Sequence, residues 1–206
     1  MSSHSVSPSF EWDVGQSVST VLLSVSHSIS GGSNYGDFPP GITPYRSSYS
    51  LSLKGTPTKA GSYAFIVYGY HSSPHYDYYA RCSAKVYATV TFNPGDGVCE
   101  TTSLRSYSTI TLPEASKKGT EFVKYNFLGW YSAQTEGTLI GKAGASYTVS
   151  VNETLYARFE QVNTYTCMVN VGGEYYPAQA FVNCNGAWYQ STPYTCNGDS
   201  WHKLST

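Results

Sequence analysis

The sequence predicts a mainly β protein, and three observations carry that prediction. Turn signals recur along the whole chain, at Gly31-Gly32, Pro39-Pro40-Gly41, Pro57, Pro94-Gly95-Asp96-Gly97, Asn185-Gly186 and Asn197-Gly198. Between them lie short runs rich in Val, Thr, Tyr and Phe, which suit a pleated, half-buried backbone. No apolar stripe keeps helical spacing for more than about ten residues, and only Leu112 to Lys118 is placed to open a short helix.

The composition narrows the function classes. At 206 residues the chain has room for one large or two small domains. Only 12% of residues are charged while 20 are Tyr, so the surface must be polar chiefly through hydroxyl and amide groups. The formal net charge is −1 and no basic cluster exceeds Lys117-Lys118, so no nucleic-acid partner is expected. The N-terminal "MSSHSVSPSFEWDVGQ" has neither a basic segment nor an apolar core, and no run is long enough to span a bilayer, so neither standard secretion nor membrane insertion is expected. Five cysteines without a Cys-x-x-Cys pair point to reduced core or turn thiols.

Taken in order, residues 1–88 form the first expected domain. It has a turn at Pro39-Pro40-Gly41, a strand through Leu51 and Leu53, a turn at Gly55-Thr56-Pro57 and a buried strand from Tyr63 to Tyr68. The clearest strand is "CSAKVYATVTF", in which Cys82, Ala84, Val86, Ala88, Val90 and Phe92 share one face, making Cys82 an inward thiol. No Gly, Pro or Ser-rich linker interrupts Tyr87 to Thr89, so a stiff junction and a rod are expected there. The stretch from Gly36 to Tyr68, with Gly55-Thr56-Pro57, Ala60-Gly61 and Tyr63, Phe65, Val67, resembles the immunoglobulin-like domains of bacterial and phage surface proteins. That resemblance implies a β-sandwich.

Residues 89–160 contain "YNFLGWYSAQTEGTLIG", in which Phe127, Leu128, Trp130 and Tyr131 crowd around Gly129. Tyr147, Val149 and Val151 alternate up to Asn152-Glu153-Thr154, and Leu155, Ala157 and Phe159 alternate after it. This segment is similar to the internalin-type B repeat, a β-grasp-like surface module. The resemblance implies that Phe127, Gly129 and Trp130 build a central strand with Trp130 in the core, and that Leu155, Tyr156 and Ala157 close the sheet. Gly129 is expected to let the backbone approach an aromatic ring.

Residues 161–206 carry an internal repeat, "VNVGGEYYPA", "VNCNGAWYQS" and "YTCNGDSWHKL", with Tyr175, Trp188 and Trp201 thirteen residues apart and turns at Gly173, Gly186 and Gly198. Asn185-Gly186 and Asn197-Gly198 are pairs that type I′ hairpin turns demand. A small β-hairpin array results, similar to terminal repeats of phage structural proteins.

No hydrolase, metalloprotease, nucleotide or dinucleotide motif is present, so no catalytic residue, metal or cofactor is expected. Glu11 and Asp13 share a strand face and could pair as glycosidase carboxylates, or form a solvated edge. His71, His75 and Asp77 could bridge a metal, but the spacing passes through Pro74 and reads as a loop tip. At that tip Tyr70, Tyr76, Tyr78 and Tyr79 form a candidate partner or glycan surface, since Tyr brings large area at little rotamer cost. Tyr175, Trp188 and Trp201 are candidates for core or inter-subunit packing, or for stacking on sugar rings.

These readings imply a non-enzymatic bacteriophage virion structural protein, a head-decoration, head-fibre or tail-associated subunit at the virion surface. It would contact other virion proteins, associate with itself and display an adhesive face to a host or glycan. A start at Met1 without an export signal favours that reading over a fragment of a bacterial cell-surface adhesin, and a glycan-active enzyme is the remote alternative.

Overall fold

A computed structural model of the chain describes residues 2–120, 123–164, 167–192, 194–197 and 200–203. Eight strands occupy the first part: β1 (Ser2–Val6), β2 (Ser9–Asp13), β3 (Val18–Ser24), β4 (Asn34–Gly36), β5 (Ile42–Ser47), β6 (Ser50–Gly55), β7 (Gly61–His71) and β8 (Tyr76–Asn93). Six follow: β9 (Ser103–Ser106), β10 (Thr109–Thr111), β11 (Val123–Tyr131), β12 (Leu139–Gly141), β13 (Ser146–Thr148) and β14 (Glu153–Asn163). The last six are β15 (Cys167–Val171), β16 (Glu174–Ala178), β17 (Phe181–Cys184), β18 (Ala187–Gln190), β19 (Tyr194–Asn197) and β20 (Ser200–Lys203). The described residues contain no helix, so the fold is mainly β. Leu112 to Lys118 is not helical: Ser116 exchanges hydrogen bonds with Val98 at 2.7 and 2.9 Å instead of with residues of its own segment.

Packing divides the chain into two units that interleave in sequence. The first takes Met1–Asn93, Thr101–Pro113 and Ala143–Leu155; the second takes Pro94–Glu100, Glu114–Lys142 and Tyr156–Thr206. Ala88, where the sequence suggests a boundary, lies inside β8, which runs unbroken through Tyr87 to Thr89.

In the first unit β7 and β8 form a long antiparallel pair, with β4 along β7 and with β1 and β2 running parallel to β8 at Tyr76–Ala80 and Ser83–Tyr87. Pro8 separates β1 from β2, since it has no N–H to give to a ladder; its carbonyl still accepts from Ser83 N at 3.1 Å. A second sheet has the order β3-β6-β5. Period-two alternation turns Tyr63, Phe65 and Val67 of β7 and Tyr78, Ala80, Cys82, Ala84 and Val86 of β8 toward Leu51 and Leu53 of β6. Trp12, Val18, Leu23 and Ile42 complete this core. Each large side chain buried there contributes about 1.5–3 kcal/mol. The expected turns at Gly41 and Gly55 form and lock together: Thr56 N donates to Gly41 O at 3.0 Å, and a Cβ on Gly41, at φ 87°, would overlap the Thr56 carbonyl oxygen.

Later segments return to this unit. β9 pairs with β8 from Ala88↔Ser106 to Thr91↔Ser103, and β10 pairs with β13 through Ile110↔Tyr147. Asn152 ties them in with its side chain, accepting from Thr89 N at 2.8 Å and donating to Val14 O at 3.2 Å. The alternation expected after Tyr147 stops early, for Val149 is buried but Val151 is exposed.

In the second unit β11 pairs with β12 and with the β14 residues from Tyr156 onward. Trp130 is fully buried, and it meets Phe127 edge to face with ring centroids 5.6 Å apart, while Phe159 lies 5.7 Å from Phe127. Gly129 sits at a bulge with φ 135°. Its close neighbours differ from the expected aromatic ring. A Cβ there would stand 2.7 Å from the Gly141 carbonyl oxygen and 2.8 Å from Leu139 Cδ1.

The C-terminal repeat forms three two-stranded sheets, β15-β16, β17-β18 and β19-β20. Their register repeats: Asn170↔Tyr175, Asn183↔Trp188 and Cys196↔Trp201. Gly172 and Gly173, then Asn185 and Gly186, all have positive φ, as a type I′ turn requires. Asn170 and Asn183 secure these turns alike, each accepting from a glycine N–H at 3.1 Å. One expectation shifts by a residue. Asn197 pairs with Ser200 and so ends β19, taking the place of Cys184 opposite Ala187, while Cys196 takes the place of Asn183. Gly198, expected in that turn, lies outside the described residues.

Candidate functional site

The end of the β7–β8 pair gathers most of the aromatic side chains singled out in the sequence, but strand alternation divides them between two faces. On the outer face Tyr68 stacks on Tyr79 at 4.8 Å, Tyr70 lies 6.1 Å from Tyr68, and the Arg81 guanidinium covers the Tyr79 ring at 5.2 Å. Tyr68 donates its hydroxyl to Asp77 at 2.6 Å, and His75 Nε2 lies 3.2 Å from the same oxygen. The Asp77 hydrogen bond, assisted by desolvation, pushes the Tyr68 phenol well above its usual range.

On the inner face Tyr76 stacks on His27 at 4.3 Å, and Tyr78 is only 4% exposed. Tyr78 therefore belongs to the core of the first unit and not to an exposed tip. Its hydroxyl is buried without a hydrogen-bond partner, a situation costing about 1–3 kcal/mol. Tyr78 and Tyr76 line a cavity of about 310 Å³ with His4, Val25 and serines from β1 and from the end of β3.

The same alternation separates the residues considered for a metal. His71 has its two ring nitrogens 2.7 and 3.0 Å from the carbonyl oxygens of Ser28 and Ser73, whereas His75 and Asp77 meet on the outer side. Among the described residues no group of three or more His, Cys, Asp or Glu side chains is arranged to hold a metal ion. Glu11 and Asp13 are both engaged on the outer surface: Tyr87 donates to Glu11 at 3.2 Å, and Arg105 pairs with Asp13 at 2.6 Å while stacking on the Tyr87 ring.

On the hairpins Tyr175 is 68% and Trp188 69% exposed, which removes the reading of these two as a core within the chain. Val171, Phe181 and Tyr189 are exposed on the same elements. Trp201 stands at the equivalent register position of β20, and its side chain lies outside the described residues. No helix among the described residues is long and apolar enough to cross a membrane.

Sequence reasoning missed Tyr68, Arg81 and His27. The first two were available by extending the alternation of β7 and β8. His27 sits in an irregular segment after β3, where no periodicity announces it. No family model matches the chain, and no curated protein matches it.

Proposed function

We propose that this chain is a non-enzymatic structural protein of a bacteriophage virion surface, a head-decoration, head-fibre or tail-associated subunit. The C-terminal hairpins serve self-association, and the tyrosine face of β7 and β8 is the surface displayed to a host or glycan. The observation that carries this reading is the hairpin array: three successive two-stranded sheets in one repeated register, with Tyr175 and Trp188 in solvent. An isolated two-stranded hairpin is marginal in water, and repeated large apolar groups at its surface mark a contact to be covered. A second copy of the same array offers the same spacing and register, so self-association covers it with like surfaces. Support for the virion comes from the resemblance of these repeats to phage terminal repeats.

The reading as a cell-surface adhesin fragment rests on the B-repeat resemblance, and location separates the two. Antibody against the chain should label released particles in a culture that makes it. Label confined to the cell wall would overturn the virion assignment and leave the adhesin.

A further inference from the structure

We propose that the cavity between β1, β8 and the end of β3 is a binding site for a neutral saccharide. The proposal deepens the display reading by giving the first unit a site and a ligand class. The cavity measures about 310 Å³, at the lower end of small-ligand sites. Ser2 and His4 of β1, in register with Tyr76 and Tyr78, share their face of the sheet, Ser24 and Ser26 line the cavity from the end of β3, and Tyr76 and Tyr78 supply the aromatic surface. Among the described residues no carboxylate, ammonium or guanidinium lines it. An ionic ligand would therefore lose water without gaining a counter-charge. A lipid chain would strand the hydroxyls. A polyol suits both limits, because serine hydroxyls and sugar hydroxyls each donate and accept, while the C–H faces of a sugar ring suit an aromatic wall.

Two features mark this as a built site. Buried polar groups are paired in the great majority of cases, yet the hydroxyl of Tyr78, a residue of this wall, is buried just behind the surface without a protein partner. A ligand oxygen that meets it as the Tyr78 ring shifts toward the cavity completes the pairing. Tyr76 is held by stacking on His27 at 4.3 Å, which fixes its ring before any ligand arrives. The outer tyrosine ledge differs in kind, since Arg81 and Asp77 charge it.

The test is a titration of the full isotope-labelled chain, followed by amide NMR, with glucose, galactose, N-acetylglucosamine and cellobiose, and with glucose 6-phosphate and N-acetylneuraminic acid as charged probes. At least one neutral sugar should give saturable shifts at Ser2 to His4, Ser24 to Ser26, Tyr76 and Tyr78, and bind more tightly than either charged probe. Tyr78→Phe, which removes only the unpaired hydroxyl, should melt at or above the parent temperature and weaken that sugar about tenfold, the loss of one good hydrogen bond. Ser24→Ala should weaken it less. Absence of saturable shifts from every neutral sugar, equal or tighter binding of a charged probe, or unchanged binding by Tyr78→Phe would each overturn the site. The titration uses isolated protein, so failure of antibody to label particles would sink the virion reading and leave this result standing.

Discussion

The β7–β8 pair and the C-terminal hairpins are both antiparallel, both rich in Val and Tyr, and both closed by short turns, yet they end in opposite environments. Val67 of β7 is wholly buried whereas Val182 of β17 is 47% exposed. The difference is the second layer. β7 and β8 turn one face to Leu51 and Leu53, while the β15-β16 and β17-β18 sheets have only two strands each and turn Tyr175 and Trp188 to water. Pairing is a local matter of turn residues and alternation, and burial requires a facing sheet. A hairpin code repeated without a facing layer produces apolar surface in place of core, the kind of surface that the proposed self-association would cover.

The largest test of this contrast sets one buried tryptophan against one exposed. Trp130→Ala should cost about 3–5 kcal/mol of unfolding free energy, the usual range for a buried large aromatic. Trp188→Ala should stay within about 0.5 kcal/mol in dilute solution, as surface changes do. Denaturant melts of both variants measure this, and a large loss in the second would mean that the hairpin has an internal core after all. A pair of glycines sharpens the same point. Gly41→Ala brings a Cβ onto the Thr56 carbonyl at φ 87° and should exceed the roughly 1–2 kcal/mol of left-handed strain alone. Gly172→Ala has open space at φ 66°, so the strain should be its whole effect; equal losses in thermal melts would refute the difference in packing.

Alkali should act on buried groups of the first unit. Burial pushes the Cys82 thiol up to about 11 from its usual 9.0, and burial with a hydrogen bond to Glu153 at 2.7 Å pushes the Tyr147 phenol up to about 12 from 10.0. Both groups bind their protons more tightly when folded, so their contribution is complete below pH 9 and declines as pH rises toward 11 and 12. Melting temperature should fall across that window, and Tyr147→Phe should flatten its upper part; a rise in stability there would contradict the burial of both groups. The smallest effect is kinetic. At pH 8 a water-soluble thiol reagent should modify exposed Cys184 quickly and Cys82 only after denaturation, and a full denatured titration should count at least three free thiols. Equal native rates would place Cys82 at the surface.

Much of the β character was legible because period-two alternation and turn residues are local signals. The inward side of Cys82 follows directly from "CSAKVYATVTF", and the same alternation carried back to Ala80 and Tyr78 would have moved Tyr78 from the tip to the core. The Asn185-Gly186 turn formed as its residues demand, but Asn197-Gly198 misled, because the thirteen-residue repeat overrides the local dipeptide and keeps Asn197 in β19. Contacts across long separations left no trace in the chain. Nothing in the sequence joins Asp13 to Arg105 or Asn152 to Val14, and these pairs help bring Thr101–Pro113 and Ala143–Leu155 into the first unit. The cavity was invisible for the same reason, since His4, Ser24 and Tyr78 meet only when three separate strands come together.

The central claim, that the exposed hairpin aromatics serve self-association, is tested most directly by the mass of the full chain in solution. Light scattering should find an oligomer for the parent, and Tyr175→Ser with Trp188→Ser together should return it to monomer with the far-ultraviolet spectrum unchanged. A parent that remains monomeric at high concentration, or a double variant that keeps the oligomer mass, would contradict the account.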